Sequence, residues 1–328
     1  MPFPIEDKLV VAIASSALFD LTESDRIFKE QGTPAYRAYQ REQENDILRP
    51  GVAFAFIRRL LTLEGKGPGE QPVEVILLSR NDPDTGLRVF NSIEAHGLRI
   101  SRAAFTQGRF PYPYVNPFNA CLFLSANERD VRAAIEHGHP AGRVLASALD
   151  DDREDQELRI AFDFDGVIAD DEAERVFQAG GIDPFFANEV AKAQEALKRG
   201  PLNRLLTELS RLQTIEHQRA AVDAAFKPRI RTAVVTSRNA PAHKRVVTTL
   251  RAWEIEVDET FFLGGMDKRR ILDVLRPHIF FDDQLVHAAP ASGIVPSVHV
   301  PFGITNERRN GEAGPSTPTQ KPEAAVTT

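Results

Sequence analysis

The chain has 328 residues, 42% of them hydrophobic and 27% charged, with a formal net charge of −7. That composition excludes a fibrous or wholly disordered chain, and the acidic balance argues against a nucleic-acid surface, which needs clustered Lys and Arg to replace phosphate counterions. The length exceeds what one core usually fills and sets an expectation of two units.

The N-terminus places Glu6 and Asp7 before the short apolar run Leu9 to Ala14, so no export signal is expected. From there strand and helix signals alternate. Val11 to Phe28 reads as strand, turn, acidic segment and helix start, and further strand ends follow at Val75–Asn81, Ala104–Gly108 and Cys121–Ser125. The lone Cys121, between Ala120 and Leu122, predicts an inert buried thiol in a reducing cytosol.

The same series then recurs at Ile160–Phe177, Ala233–Asn239, Phe261–Gly265 and Ile279–Asp283, at an offset rising from 149 (Asp25 to Glu174) to 158 (Ser125 to Asp283). Four matches in one order predict an internal duplication. The halves are expected at 1–150 and 151–305, joined through the charged run Asp150 to Glu157, which reads as a solvated linker. Under this alignment Asp163, Asp165, Asp282 and Asp283 stand opposite Ala14, Ser16, Leu124 and Ser125. The first half thus lacks strand-end carboxylates, and the second is expected to carry the chemistry.

Within the second half, about 167–227 is an insertion expected to form a helical cap, with Leu205, Leu206, Leu209 and Leu212 on one helix face. Pro241 to Trp253 predicts a helix with Pro241 in its first turn, between strands Arg231–Val235 and Val257–Leu263. The uncharged stretch Leu285 to Asn306 is broken by three prolines, so no membrane span is expected. Residues 306–328, rich in Gly, Pro, Thr, Glu and Ala without periodicity, read as a disordered tail.

Strand ends of a parallel sheet meet on one edge, where ligands bind. Asp163 follows Ile160–Phe162, Thr236 follows Ala233–Val235, Asp282 and Asp283 follow Ile279–Phe281, and Lys268 follows Gly264-Gly265. This set fits phosphoryl transfer. A carboxylate nucleophile is repelled by a dianionic phosphate unless a cation intervenes, and Mg²⁺ prefers oxygen ligands, so Asp163, Asp165, Asp282 and Asp283 are the candidate metal ligands. Asp163 is the candidate nucleophile, Asp165 the acid and base, Thr236 a phosphoryl hydrogen-bond donor and Lys268 a charge neutraliser. Gly166 lets the chain turn after the acids. Ser237, Arg238 and Asn239 are candidate substrate contacts on the same loop, and Phe186 a candidate base-stacking residue, against its commoner fate of core packing. Flanked by Asp267, Arg269 and Arg270, Lys268 also reads as a solvated helix start.

This constellation resembles the haloacid dehalogenase superfamily of phosphatases. More narrowly it resembles the cytosolic type I 5′-nucleotidase family, through Leu78–Asn81 with Thr85–Ser92, Asp170–Arg175, Arg238–His243 and Phe280–Gln284. The likeness covers most of residues 8–302. It implies an α/β fold of two tandem haloacid-dehalogenase-like, Rossmannoid halves with mainly parallel sheets, and cytoplasmic, Mg²⁺-dependent hydrolysis of nucleoside 5′-monophosphates, AMP or IMP favoured. A nucleotide effector (ADP or ATP) and a homo-oligomer are partners left open. Competing readings are a phosphatase of sugar phosphates or other small phosphoesters, and a non-catalytic nucleotide-binding regulator.

Overall fold

A computed structural model describes residues 5–307 except 68 and 148. Most of the expected tail, from 308 on, lies outside the described residues. Asn306 closes a short 3₁₀ turn, Ile304–Asn306.

Among the described residues ten strands form one sheet: β1 (Leu9–Ile13), β2 (Val73–Ser79), β3 (Arg102–Phe105), β4 (Leu122–Ser125), β5 (Ala141–Val144), β6 (Leu158–Phe162), β7 (Ile230–Thr236), β8 (Glu259–Phe262), β9 (Ile279–Asp282) and β10 (Ser297–His299). β1 and β2 are buried along their whole length, the near-continuous apolar run expected of parallel strands covered on both faces. The spatial order is β3-β2-β1-β4-β5-β10-β9-β6-β7-β8. Neighbours within the first five strands run parallel, as do those within the last five. The two blocks meet where β10 pairs antiparallel with β5, Val298 opposite Val144 and His299 opposite Arg143. Read inward from either edge, both blocks have the same order. Because the seam is antiparallel, the carboxyl ends of the two blocks lie on opposite rims.

Hydrogen bonding corrects the pairing inferred from sequence. The Ala14 amide donates to Leu124 O at 2.8 Å, and the Asp163 amide to Phe281 O at 2.7 Å. Asp282 therefore corresponds to Ser125 and Asp283 to Ala126, one residue further on than the sequence alignment sets them. Likewise Thr236 corresponds to Ser79, since each accepts at 3.0 Å from an amide of the next strand's loop, Leu263 and Thr106 respectively. The first block still has no carboxylate at these places.

Three expectations change. Helix Asn203–Val222 buries Leu205, Leu206, Leu209 and Leu212 in the main core, against the sheet, so this part of 167–227 covers the sheet. Only helices Glu172–Gly180 and Ile182–Ala191, bent at Gly181 with φ +77°, are left for a cap. Pro241 lies ahead of its helix, which spans His243–Ala252. The charged run is not free in solvent: Arg58 and Arg59 reach Asp151 at 2.8 and 2.6 Å, and Arg59 also donates to Asp152 O at 2.7 Å. Cys121 is buried, and burial pushes its thiol up to about 12, as an inert thiol requires.

Candidate active site

β6 ends at Phe162, so Asp163 emerges at the carboxyl rim with its amide tied to Phe281 of β9. Its Oδ1 accepts from the Phe164 amide at 2.7 Å. β9 ends at Asp282, whose Oδ1 accepts from the Gln284 amide at 2.8 Å, and Asp283 follows. Asp163, Asp282 and Asp283 each offer an oxygen within 4.8 Å of the others, and all three are buried. Strand pairing is what unites residues about 120 apart in sequence.

Lys268 lies at the start of helix Arg269–Leu275 and is 2% exposed, so the solvated reading fails. Its Nζ sits 2.8 Å from Asp163 Oδ2 and 2.7 Å from Asp282 Oδ2. One ammonium against three carboxylates leaves a negative surplus in a buried place. The protonation equilibria register it: burial, aided by Asp282, pushes Asp163 up to about 7 despite Lys268, and burial together with Asp163 and Asp282 drives Asp283 well above the carboxylate range. Burial would discharge Lys268, but Asp163 and Asp282 more than offset it and raise its pKa.

Asp283 Oδ2 accepts from the Thr305 hydroxyl at 3.1 Å, while its buried Oδ1 has no partner among the described residues. An orphaned buried oxygen is costly unless something binds it. Hard oxygen donors, a charge surplus and an unsatisfied lone pair fit a divalent cation such as Mg²⁺. Gly166, at φ +71°, packs so tightly that a Cβ there would lie 2.5 Å from Asp283 Oδ2.

The remaining candidates fall outside this cluster. Asp165 turns to Arg238, whose Nε and Nη2 meet its two oxygens at 2.7 Å each. Thr236 is buried at the end of β7, its Oγ1 accepting from the Arg238 amide at 3.2 Å. Ser237 and Asn239, on either side of Arg238 in the loop after β7, are exposed. Phe186 is half-buried on helix Ile182–Ala191, its ring 5.5 Å from that of Phe185. Sequence reasoning missed Glu189 and Arg245, both buried and ion-paired to each other at 2.9 Å, with Glu189 also bound to Arg238. The available signal was the spacing of Glu189 four residues after Phe185, which sets an acid on the apolar face of a helix.

The α/β sheet thus gathers buried carboxylates and a lysine at one strand-end rim. Residues 1–307 match the family model described as 5′-nucleotidase, and the chain belongs to that family. It is similar to human cytosolic 5′-nucleotidase 1B, 36% identical over 294 residues that make up 87% of this chain and 48% of that protein. The chain thus spans about half the length of the curated relative it matches. No solved structure matches it significantly. Among the described residues no helix is long and apolar enough to cross a membrane.

Proposed function

We propose that the chain hydrolyses nucleoside 5′-monophosphates, AMP or IMP first, to nucleoside and phosphate in the cytoplasm. The reading rests on the buried cluster of Asp163, Asp282 and Asp283, held by one Lys268 and carrying the unpartnered Asp283 Oδ1, in a chain of this family. Mg²⁺ held by these three carboxylates would neutralise phosphoryl charge as an anionic nucleophile approaches. Asp163 attacks phosphorus, the bond to the 5′ oxygen breaks, and that oxygen takes a proton from Asp165. Water then attacks the aspartyl-phosphate, the Asp163–phosphorus bond breaks, and Asp165 takes the water's proton. Lys268, fixed 2.8 Å from Asp163, keeps positive charge beside the equatorial oxygens.

The carrier is the second of two related halves, 1–150 and 151–305. Identical strand order in the two blocks supports that division, as do matching bridges Phe19–Pro50 and Ala169–Arg199. The cap is then the helix pair Glu172–Ala191. In a phosphate-release assay on AMP and IMP with Mg²⁺, Asp163→Asn is expected to lose at least about 10³-fold in kcat, with unfolding unchanged, and EDTA to abolish turnover. Retained turnover in Asp163→Asn rejects the mechanism.

A further inference from the structure

Asp165 is the group asked to protonate the leaving oxygen, yet both its oxygens are engaged by one guanidinium, Arg238 Nε and Nη2 each standing at 2.7 Å. That guanidinium is gripped from its other end by Glu189, through Nη1. Glu189 in turn meets Arg245 at 2.9 Å, and Arg245 reaches Glu172 at 3.2 Å. Glu189 is completely buried and Arg238 nearly so. The rings of Phe164 and Phe185 flank Arg238 with centroids 5.6 Å away. Three separate stretches converge here: the turn after β6, the loop after β7, and helix Ile182–Ala191.

Taking charges out of water is expensive, and well-packed apolar residues serve stability at least as well as a buried ion pair. Packing therefore does not account for an acid aimed at Arg238. Accepting from one guanidinium on both oxygens leaves each a single lone pair and fixes the carboxyl plane against Arg238, so Asp165 turns to a leaving oxygen by exchanging Arg238 for the substrate. The ease of that exchange depends on how much of the guanidinium charge another carboxylate satisfies. Among the described residues, Glu189 is the other carboxylate on Arg238.

We propose that Glu189 is a positioning residue for Asp165: by sharing Arg238 it fixes the guanidinium in place and leaves Asp165 able to release it as the leaving oxygen arrives. The inference rests on the phosphatase reading above and adds a link from the helix pair Glu172–Ala191 to the proton transfer. When Glu189 is neutralised, Arg238 keeps Asp165 as its counter-charge, and protonation of the leaving group slows. Attack by Asp163 is untouched.

The test compares single-turnover release of the leaving group, before water attacks the aspartyl-phosphate, from AMP and from its analogue carrying sulfur in the bridging 5′ position, whose thiolate leaves without protonation. Glu189→Gln is expected to lower that rate on AMP by about 10- to 100-fold, within the range that general acids contribute, with KM changed less than about threefold. On the sulfur analogue the same rate should change less than about threefold. Equal losses on the two substrates would assign Glu189 a purely structural role, and unchanged rates on both would remove it from the reaction; either outcome overturns the proposal. Should Glu189→Gln fail to fold, Glu189→Asp keeps the charge but withdraws it by one methylene, and the same selective loss on AMP, smaller in size, is expected. Wild-type turnover of AMP and its loss in Asp163→Asn are run alongside, and an inactive wild type ends the parent reading separately.

Discussion

Gly166 shows how little room the cluster leaves. Its φ of +71° is one an L side chain adopts at a cost of about 1–2 kcal/mol, and a Cβ would strike the Asp283 carboxyl at 2.5 Å. Gly166→Ala is therefore expected to shift Asp283 and to raise the Mg²⁺ concentration for half-maximal phosphate release at least about tenfold, by loss of roughly 1.4 kcal/mol or more of binding. An unchanged Mg²⁺ titration would mean that Asp283 is not a ligand. The places of Asp163, Asp282 and Asp283 were legible from sequence because each ends or follows a recognisable strand. The position of Asp165 was not, since no local pattern shows that it meets Arg238 of the loop after β7. Lys268 was ambiguous for another reason: its charged neighbours Asp267 and Arg269 do face solvent, and only the turn of the helix start carries its own side chain inward.

The long helix Asn203–Val222 decides how much of the inserted segment can move. Its leucine stripe was plain in the sequence, but the stripe looks the same whether the partner is a sheet or another helix of a lid. The structure gives it the sheet, with Leu206 and Leu209 fully buried. Leu209→Ala should accordingly cost about 2–5 kcal/mol, seen as a lower urea midpoint at unchanged KM for AMP. A cost below about 1 kcal/mol would return this helix to a mobile cap. The first block bends in the matching place: helix Thr22–Glu42 is interrupted at Gly32, with φ +79°, as the second pair is at Gly181 with φ +77°. In both, glycine is what permits the positive φ.

At the scale of the whole molecule, the strand-end motifs recur in sequence and the two blocks share one strand order, whereas the β5–β10 seam left no trace. Those strands are short, no turn joins them, and pairing between distant edges has no local sequence signal. The seam's neighbourhood nevertheless offers a titration. His278, just before β9, is buried, and its Nδ1 accepts from the Arg159 amide at 3.0 Å, which leaves the ring proton on Nε2, 3.5 Å from Asp155. Burial, then Arg59 and Arg159, push its pKa down to about 4 against the opposing pull of Asp155 and Asp151. Arg59 comes from helix Phe54–Leu61 of the first block and binds Asp151 of the connecting run, so protonating His278 would put two cations together where the blocks are tied. The sign follows from proton counting: the unfolded chain binds this proton near pH 6.5 and the folded one only near 4, so the contribution is complete above 6.5 and is lost as the pH falls to 4. Urea unfolding of wild type and His278→Gln at pH 7 and at pH 4 should show wild type losing up to about 3 kcal/mol relative to the variant, since the ring takes its proton near 4 when folded and near 6.5 when unfolded. A difference that stays constant across that range would show that the ring is as easily protonated in the folded protein as in the unfolded chain, and that the junction tolerates the charge.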